Sequence, residues 1–210
     1  LLARVHSDRG DRTTALRTAE SAVRVAGDVG EPMARAFASD VLAELLLEEG
    51  AVEAAEEHGD QALQLYREVG YREVGYREGV ASALQRQGDI AQRRGRLATA
   101  AALWIEALAV ARSLGHPGAM AQAADSLAGA FADQDAEVAV VLLGAGAALR
   151  AGTGAAPSPG TARHRERTVE RLRRALGEDV FVATARRGEK VRPARLLDLA
   201  RRVLSEFDGG

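Results

Sequence analysis

The stretch GVASALQRQGDIAQRRGRLATAAALWIEALAVARSLG, residues 79–115, holds the key to the chain. Small residues stand at Gly88, Ala100 and Ala107, spaced 12 and then 7 apart, with Gly95 between the first two. The same pattern recurs upstream at Ala43, Ala55 and Ala62, and before that at Ala3, Ala15 and Ala22. Downstream it recurs at Leu127, Ala139 and Gly146. The three columns share one set of steps, 40, 45 and 39 residues, which marks an internal repeat of about 40 residues.

The long middle step has a visible origin. Residues 66–79 read YREVG-YREVG-YREG, so Tyr66–Gly70 is duplicated as Tyr71–Gly75, and removing five residues restores a period of 40. Five extra residues inside a helix would rotate everything after them by about 140° at 3.6 residues per turn. Gly70 and Gly75 therefore place the insertion in a loop or frayed helix end, and the segment reads as a neutral tandem duplication.

Each period contains two helical segments. In Asp11–Gly27, Ala15, Leu16, Ala19, Ala22, Val23 and Ala26 fall at helical spacing. Gln61–Val69, Leu97–Leu114 and Ala136–Leu149 repeat the theme, and Gly30, Gly70 or Gly75, Gly115 and Gly154 follow as stops. Short turns are expected at Gly10-Asp11, Gly50-Ala51, Gly95-Arg96 and Gln134-Asp135. The unit is a helix hairpin, used about four times: residues 1–30 (truncated), 31–75, 76–115 and 116–150. A Gly- and Pro-rich loop at 151–162 then leads to a helical cap at 163–207, with helices expected over Thr161–Leu176, Asp179–Arg187 and Pro193–Glu206.

The columns resemble tetratricopeptide repeats in a longer, 40-residue form, best matched by Gly88, Gly95, Ala100 and Ala107. Gln87, where a large apolar residue is usual, and Leu127, in a small-residue column, depart from it. The resemblance implies an all-α fold, a right-handed α-solenoid closed by the three C-terminal helices. A second resemblance is more specific. VVLLGAGAALRAGTGAAPSP, then RERTVERLRRALGEDVFVATARRGEKV, then LLDLA, looks like the end of the tetratricopeptide region of large bacterial ATP-dependent regulators of the LuxR, SARP and NB-ARC types. Ala185 stands where a Trp is often found in them. In such regulators the repeats sense an inducer or restrain an ATPase, while nucleotide and DNA are bound elsewhere. The implied role here is a non-catalytic sensor region with an ATPase upstream in the same polypeptide. A freestanding scaffold that joins proteins is the alternative.

Composition agrees with the helical reading and restricts the chemistry. The 210 residues include 44 alanines, 27 arginines against the single Lys190, and no cysteine. Alanine is the best helix former, so an all-α chain is expected. Without cysteine there is no disulfide framework, thiol nucleophile or thiolate metal site. No apolar run approaches the roughly 18 residues of a membrane span, and no basic-then-apolar leader opens the chain. The expectation is a cytoplasmic protein that does not engage membranes. The chain begins Leu1-Leu2, which reads as a piece of something longer, and Leu1, Leu2 and Val5 would give the truncated first hairpin an uncapped apolar face open to self-association.

Catalytic and cofactor motifs fail on inspection, so no enzyme, cofactor or metal is expected. AVVLLGAGAALR, residues 139–150, mimics a dinucleotide turn, but the third glycine of GxGxxG would fall at Leu149, and Gly146 already belongs to a repeat column. There is no GxxxxGK[ST] loop. His6, His58, His116 and His164 share no ligand spacing. Glu48, Glu49, Glu53, Glu56 and Glu57 crowd an expected turn and read as a solvated face. Residues 161–202 carry a net charge of +7 and residues 1–160 one of −7. Arg163, Arg167, Arg171 and Arg174, with Glu166 and Glu170 interleaved, follow the rhythm of a solvated helix face, with a protein-docking patch as the alternative and without the aromatic platforms or recognition helix of a nucleic-acid site.

The tetratricopeptide register implies that the first helix of each hairpin lines a concave groove. Carried onto this chain it offers Phe37, Asp40, Glu44 and Leu47, then Ser82, Gln85, Asp89 and Gln92, then Ala121, Ala124, Ala128 and Phe131. A protein or peptide, or a small inducer, is the expected occupant.

Overall fold

Proline and glycine punctuate the helices. A computed structural model describes residues 2–69, 74–153 and 159–207. Among these the chain forms eleven helices and no strand: α1 (Leu2–Asp8), α2 (Arg12–Val29), α3 (Pro32–Glu48), α4 (Val52–Val69), α5 (Val74–Arg93), α6 (Leu97–Ser113), α7 (Pro117–Phe131), α8 (Ala136–Ala151), α9 (Pro159–Leu176), α10 (Glu178–Gly188) and α11 (Pro193–Phe207). Proline is the first residue of α3, α7, α9 and α11, where its missing N–H breaks no intrahelical bond. Gly30 ends α2 in the left-handed region at φ 74°, and its N–H returns to the Ala26 and Gly27 carbonyls. Asp11, His116 and Asp135 cap α2, α7 and α8 by accepting from Thr14, Ala119 and Val138 backbone N–H groups.

The expected turns at Gly10, Gly50 and Gly95 all occur, each with a positive φ. Gly75 is not a stop, because it lies in the first turn of α5. Residues 70–73, where the rest of the duplication was expected to form a loop, lie outside the described residues, as do Gly154 and residues 155–158. The Gly/Pro loop expected to reach residue 162 ends sooner, since α9 opens at Pro159.

Two compact units divide the chain, Leu1–Arg96 and Leu97–Gly210. The division falls within the third 40-residue period rather than between periods. It also places the three C-terminal helices in one unit with α6–α8, instead of in a separate cap.

In the first unit α2 packs between α1 and α3, and α4 between α3 and α5, while α3 also lies beside α1 and α5. Helices α1, α3 and α5 thus form one layer and α2 and α4 the other. The core is built of small and medium side chains, Ala3, Ala15, Ala19, Val41, Leu42 and Leu45, with a second cluster of Leu47, Ala55 and Ile90. Eleven of the twelve column positions are buried, and Ala22 alone is exposed. In a hairpin that turns at Gly10, Ala22 lies opposite a position before residue 1, beyond the reach of the seven-residue α1.

The second unit has the larger side chains, Trp104, Leu108, Leu127, Phe131, Leu142, Leu143, Leu172, Leu196 and Val203, all fully buried or nearly so. Helices α6, α7 and α8 pack in succession, and α9, α10 and α11 return onto them. At the α8–α10 crossing the contacts are reciprocal: Gly144 lies directly against the Ala185 carbonyl, and Gly188 against the Val141 carbonyl. Gly146 faces Asp125 and the Ala121 carbonyl on α7. Both glycines of the dinucleotide-like motif are therefore accounted for by close helix packing.

Candidate ligand-binding face of the first unit

Helix α3 is covered by neighbours along most of its length; Pro32, Ala34, Phe37 and Glu48 are its exposed residues, and Glu44 is half-buried. Phe37 is 42% exposed. Asp40 and Glu44 are one turn apart, on the side that looks toward α1 and α5. The Glu44 Oε2 atom accepts from Arg4 Nε at 3.1 Å and Arg4 Nη2 at 2.9 Å, and it meets Arg86 Nη2 at 3.1 Å. Arg4 comes from α1 and Arg86 from α5, so one carboxylate joins all three helices of the layer. The Arg4 guanidinium also lies over the Phe37 ring, 5.7 Å from its centroid.

Beneath Glu44, Asp40 is 2% exposed and accepts the Ser82 hydroxyl at 2.8 Å through Oδ2. Its Oδ1 has no hydrogen-bond partner, and Arg86 Nε, 3.8 Å away, has none either. Burial alone would raise the Glu44 carboxyl, but Arg86 and Arg4 more than offset it and hold the group below the ordinary carboxylate value. Burial likewise works against charge on Arg86, yet Glu44, Asp40 and Asp89 raise it above its ordinary value. Burial, with Asp40 nearby, pushes the Tyr66 phenol upward, so it stays neutral. The Tyr66 ring lies against the backbone of Gly79, where any side chain would collide with it.

The structure sorts the expected groove residues. Phe37 and Glu44 are accessible, and Ser82, Asp89 and Gln92 are half-buried. Asp40 and Gln85 are buried polar groups, and Leu47 belongs to the Ile90 cluster. Ala121, Ala124, Ala128 and Phe131 are fully buried, because α7 is packed by α6, α8, α9 and α11. No groove is open at that helix, so these four are core rather than ligand contacts. Arg4 and Arg86 were missed. Arg4 occupies in the first hairpin the register position of Glu44 and Asp89, and Arg86 occupies that of Val41 and Asp125. Continuing the columns by one hairpin would have found the first.

The other sequence candidates are largely spent on structure. Glu49 pairs with Arg12 at 3.0 Å, Glu53 with Arg94 at 3.5 Å, and Glu56 with both Arg94 and Arg96. Glu48 accepts from Ser7 at 3.4 Å. The acidic turn is therefore stitched to the turns on either side, and among the described residues no group of His, Asp and Glu is arranged to hold a metal. In the proposed docking patch, Arg171 donates to the Gly129 carbonyl at 2.6 Å and pairs with Asp133, and Arg174 donates to Glu170 within its own helix. Arg163 and Arg167 line a shallow depression with Glu166 and Glu170. The basic excess of the C-terminal helices is met by acids of α7, α8 and their turn: Arg165 by Asp125, Arg187 by Glu137 and Arg202 by Asp135, besides Arg171 by Asp133. Asp125 also holds Arg150 through two hydrogen bonds, at 2.6 and 3.0 Å. Burial still sets the direction for that carboxyl, which lies above its ordinary value despite both arginines.

No protein-family model matches the chain, and no curated protein matches it. Among solved structures, the crystal structure of BtubC (BKLC) from P. vanneervenii resembles it with a TM-score of 0.62 at 19% identity, over 100% of this chain and 79% of that one. At such identity the likeness concerns the fold, and it agrees with the all-helical architecture. Among the described residues no helix is long and apolar enough to cross a membrane.

Proposed function

We propose that the chain is a non-catalytic binding region, a right-handed α-solenoid of tetratricopeptide-like hairpins that takes a peptide or a small inducer on the α1–α3–α5 layer. The observation behind this reading is the exposed Phe37 ring and the half-buried Glu44 brought under one guanidinium, that of Arg4. Recognition hot spots are enriched in aromatic side chains and in arginine seated in desolvated pockets. The layer unites three hairpins through polar contacts as well as apolar packing. Its arrangement can therefore respond to a ligand that prefers one geometry of Arg4, Glu44 and Arg86 over another.

In the fuller form of this proposal the region is the sensor of a cytoplasmic, ATP-dependent transcriptional regulator whose ATPase lies upstream, and it contacts neither nucleic acid nor membrane. Leu2 and Val5, exposed on α1, belong in this proposal to the apolar face through which it self-associates. A ligand that binds only the folded form stabilises it by mass action, about 2.7 kcal/mol at a hundredfold excess over Kd. Thermal unfolding against a panel of short peptides and small metabolites tests the sensor reading: one class must raise the melting temperature and must fail to do so in Phe37→Ala. A response to folded protein partners alone would favour the scaffold.

A further inference from the structure

We propose that the Phe37–Glu44 platform is a receptor for the guanidinium of an arginine in a basic peptide, and that Arg4 fills it in cis. The inference rests on the peptide-binding reading above and gives that ligand a chemistry. Arg4 makes the contacts such a ligand would make: its guanidinium stacks over Phe37 and donates twice to Glu44 Oε2. Cation–π stacking and a charge-assisted double donation are the features by which arginine is recognised in general.

The platform stays behind when Arg4 leaves. Glu44 is still fixed by Arg86, whose side chain is only 13% exposed, so the carboxylate keeps its position. Three carboxylates, Asp40, Glu44 and Asp89, face Arg4 and Arg86 in this cluster. With Arg4 withdrawn, Arg86 faces both Asp40 and Glu44, and a second cation is favoured. The floor also retains an unused acceptor, the buried Asp40 Oδ1. Helix α1, for its part, is held lightly. Of its seven residues only Ala3 is buried, while Leu2 and Val5 are exposed. Its side-chain polar ties are Ser7 to Glu48, His6 to Asp11 at 4.0 Å, and the Arg4 pair itself. An incoming arginine therefore exchanges one guanidinium for another, and Arg4 swings into water without disturbing the core.

A site that is self-occupied more than nine-tenths of the time binds its ligand about tenfold more weakly than the open site. The test uses the 210-residue chain, labelled with nitrogen-15, titrated with acetyl-Gly-Arg-Gly-amide and with the matching Glu and Leu peptides. The Arg peptide should shift the amides around Phe37, Glu44 and Ser82, and Arg4→Gln should bind it at least about tenfold more tightly. Phe37→Ala in the Arg4→Gln background should lose that gain. Since Phe37 is exposed, this variant keeps its fold, which its melting curve verifies. An Arg4→Gln variant that binds no more tightly, or shifts that map away from Phe37, would overturn the proposal. If the Glu or Leu peptide moves these amides and the Arg peptide does not, the groove reading survives and the arginine receptor falls. If no peptide moves them, both fall.

Discussion

Glu44 shows how one side chain ties the chain's charge to its stability. Its folded carboxyl lies below the ordinary value, so it contributes stability that is complete above the unfolded pKa, about 4.3, and is lost as pH falls through the lower folded value. Glu44→Gln leaves Arg86 buried with only Asp40, at 3.8 Å, and the more distant charge of Asp89 to balance it. We expect a loss of about 2–3 kcal/mol at pH 7 by urea unfolding, shrinking toward zero below about pH 4. A loss that is the same at both pH values would mean that Glu44 acts by shape and not by charge. Glycine makes the second residue-scale case. A methyl at Gly144 or Gly188 would meet a backbone carbonyl, which cannot give way as a flexible side chain can. Gly144→Ala and Gly188→Ala should each cost about 1–3 kcal/mol or more. Gly27→Ala, in α2 with nothing within 4 Å, should instead be neutral or gain up to about 1 kcal/mol. Equal effects at all three positions in thermal unfolding would show that helix propensity, not close approach, governs these sites.

Among the elements, α9 depends most on a titrating group. His164 lies on α7 where Gly129 has no side chain, and a Cβ there would stand 2.5 Å from Nε2. Burial, with Arg167 and Arg171 close by, lowers its pKa below 6.5, so the fold holds the neutral ring. The unfolded chain binds the proton more readily, and stability is therefore full above about pH 6.5 and falls as pH drops below it. The amides of α9 should lose exchange protection between about pH 6.5 and 5, and His164→Gln should flatten that dependence. Protection that does not change in wild type over this range would show that the docking of α9 is indifferent to His164. This helix also illustrates what a sequence conveys of an element. Its apolar spacing at Val169, Leu172 and Leu176 makes it legible as a helix from Thr161 and its arginines legible as a face, whereas its opening at Pro159 reads as loop. Their partners were not legible, because Asp133 and the Gly129 carbonyl lie about 40 residues away and no periodicity links them to Arg171. A charge run read alone is a surface; beside the acids of the α7–α8 turn it becomes part of an intramolecular docking. In the first unit the same limit hid Arg86, a charged residue in a column where Val41 is apolar.

At the scale of the molecule, the 40-residue period describes how the helices are repeated, and the core describes how they cohere. The period divides the chain at Gly115-His116, whereas the compact units divide it between Arg96 and Leu97. The difference is one helix, α6, and its contents decide the matter. Trp104, Leu108 and Ala111 on α6 are buried, and α6 packs against both α7 and α11. Repeat spacing could not reveal this, because α11 lies outside the repeat and meets α6 only in the folded chain. Residues 97–210 should therefore fold alone, with a cooperative thermal transition and the blue-shifted emission of a buried Trp104. Residues 116–210 keep every helix of the fourth hairpin and of the C-terminal segment but lose α6. Their apolar surfaces on α7 and α11 would then face water, at a cost of about 1.5–3 kcal/mol for each large side chain uncovered. With typical domain stabilities of about 5–15 kcal/mol, losing the cover supplied by three such residues exhausts most of the margin. The shorter fragment should melt without a cooperative transition by circular dichroism. Cooperative unfolding of 116–210 at the temperature of 97–210 would show instead that the repeat boundary is the boundary of folding, and that α6 belongs with the hairpin whose sequence period it completes.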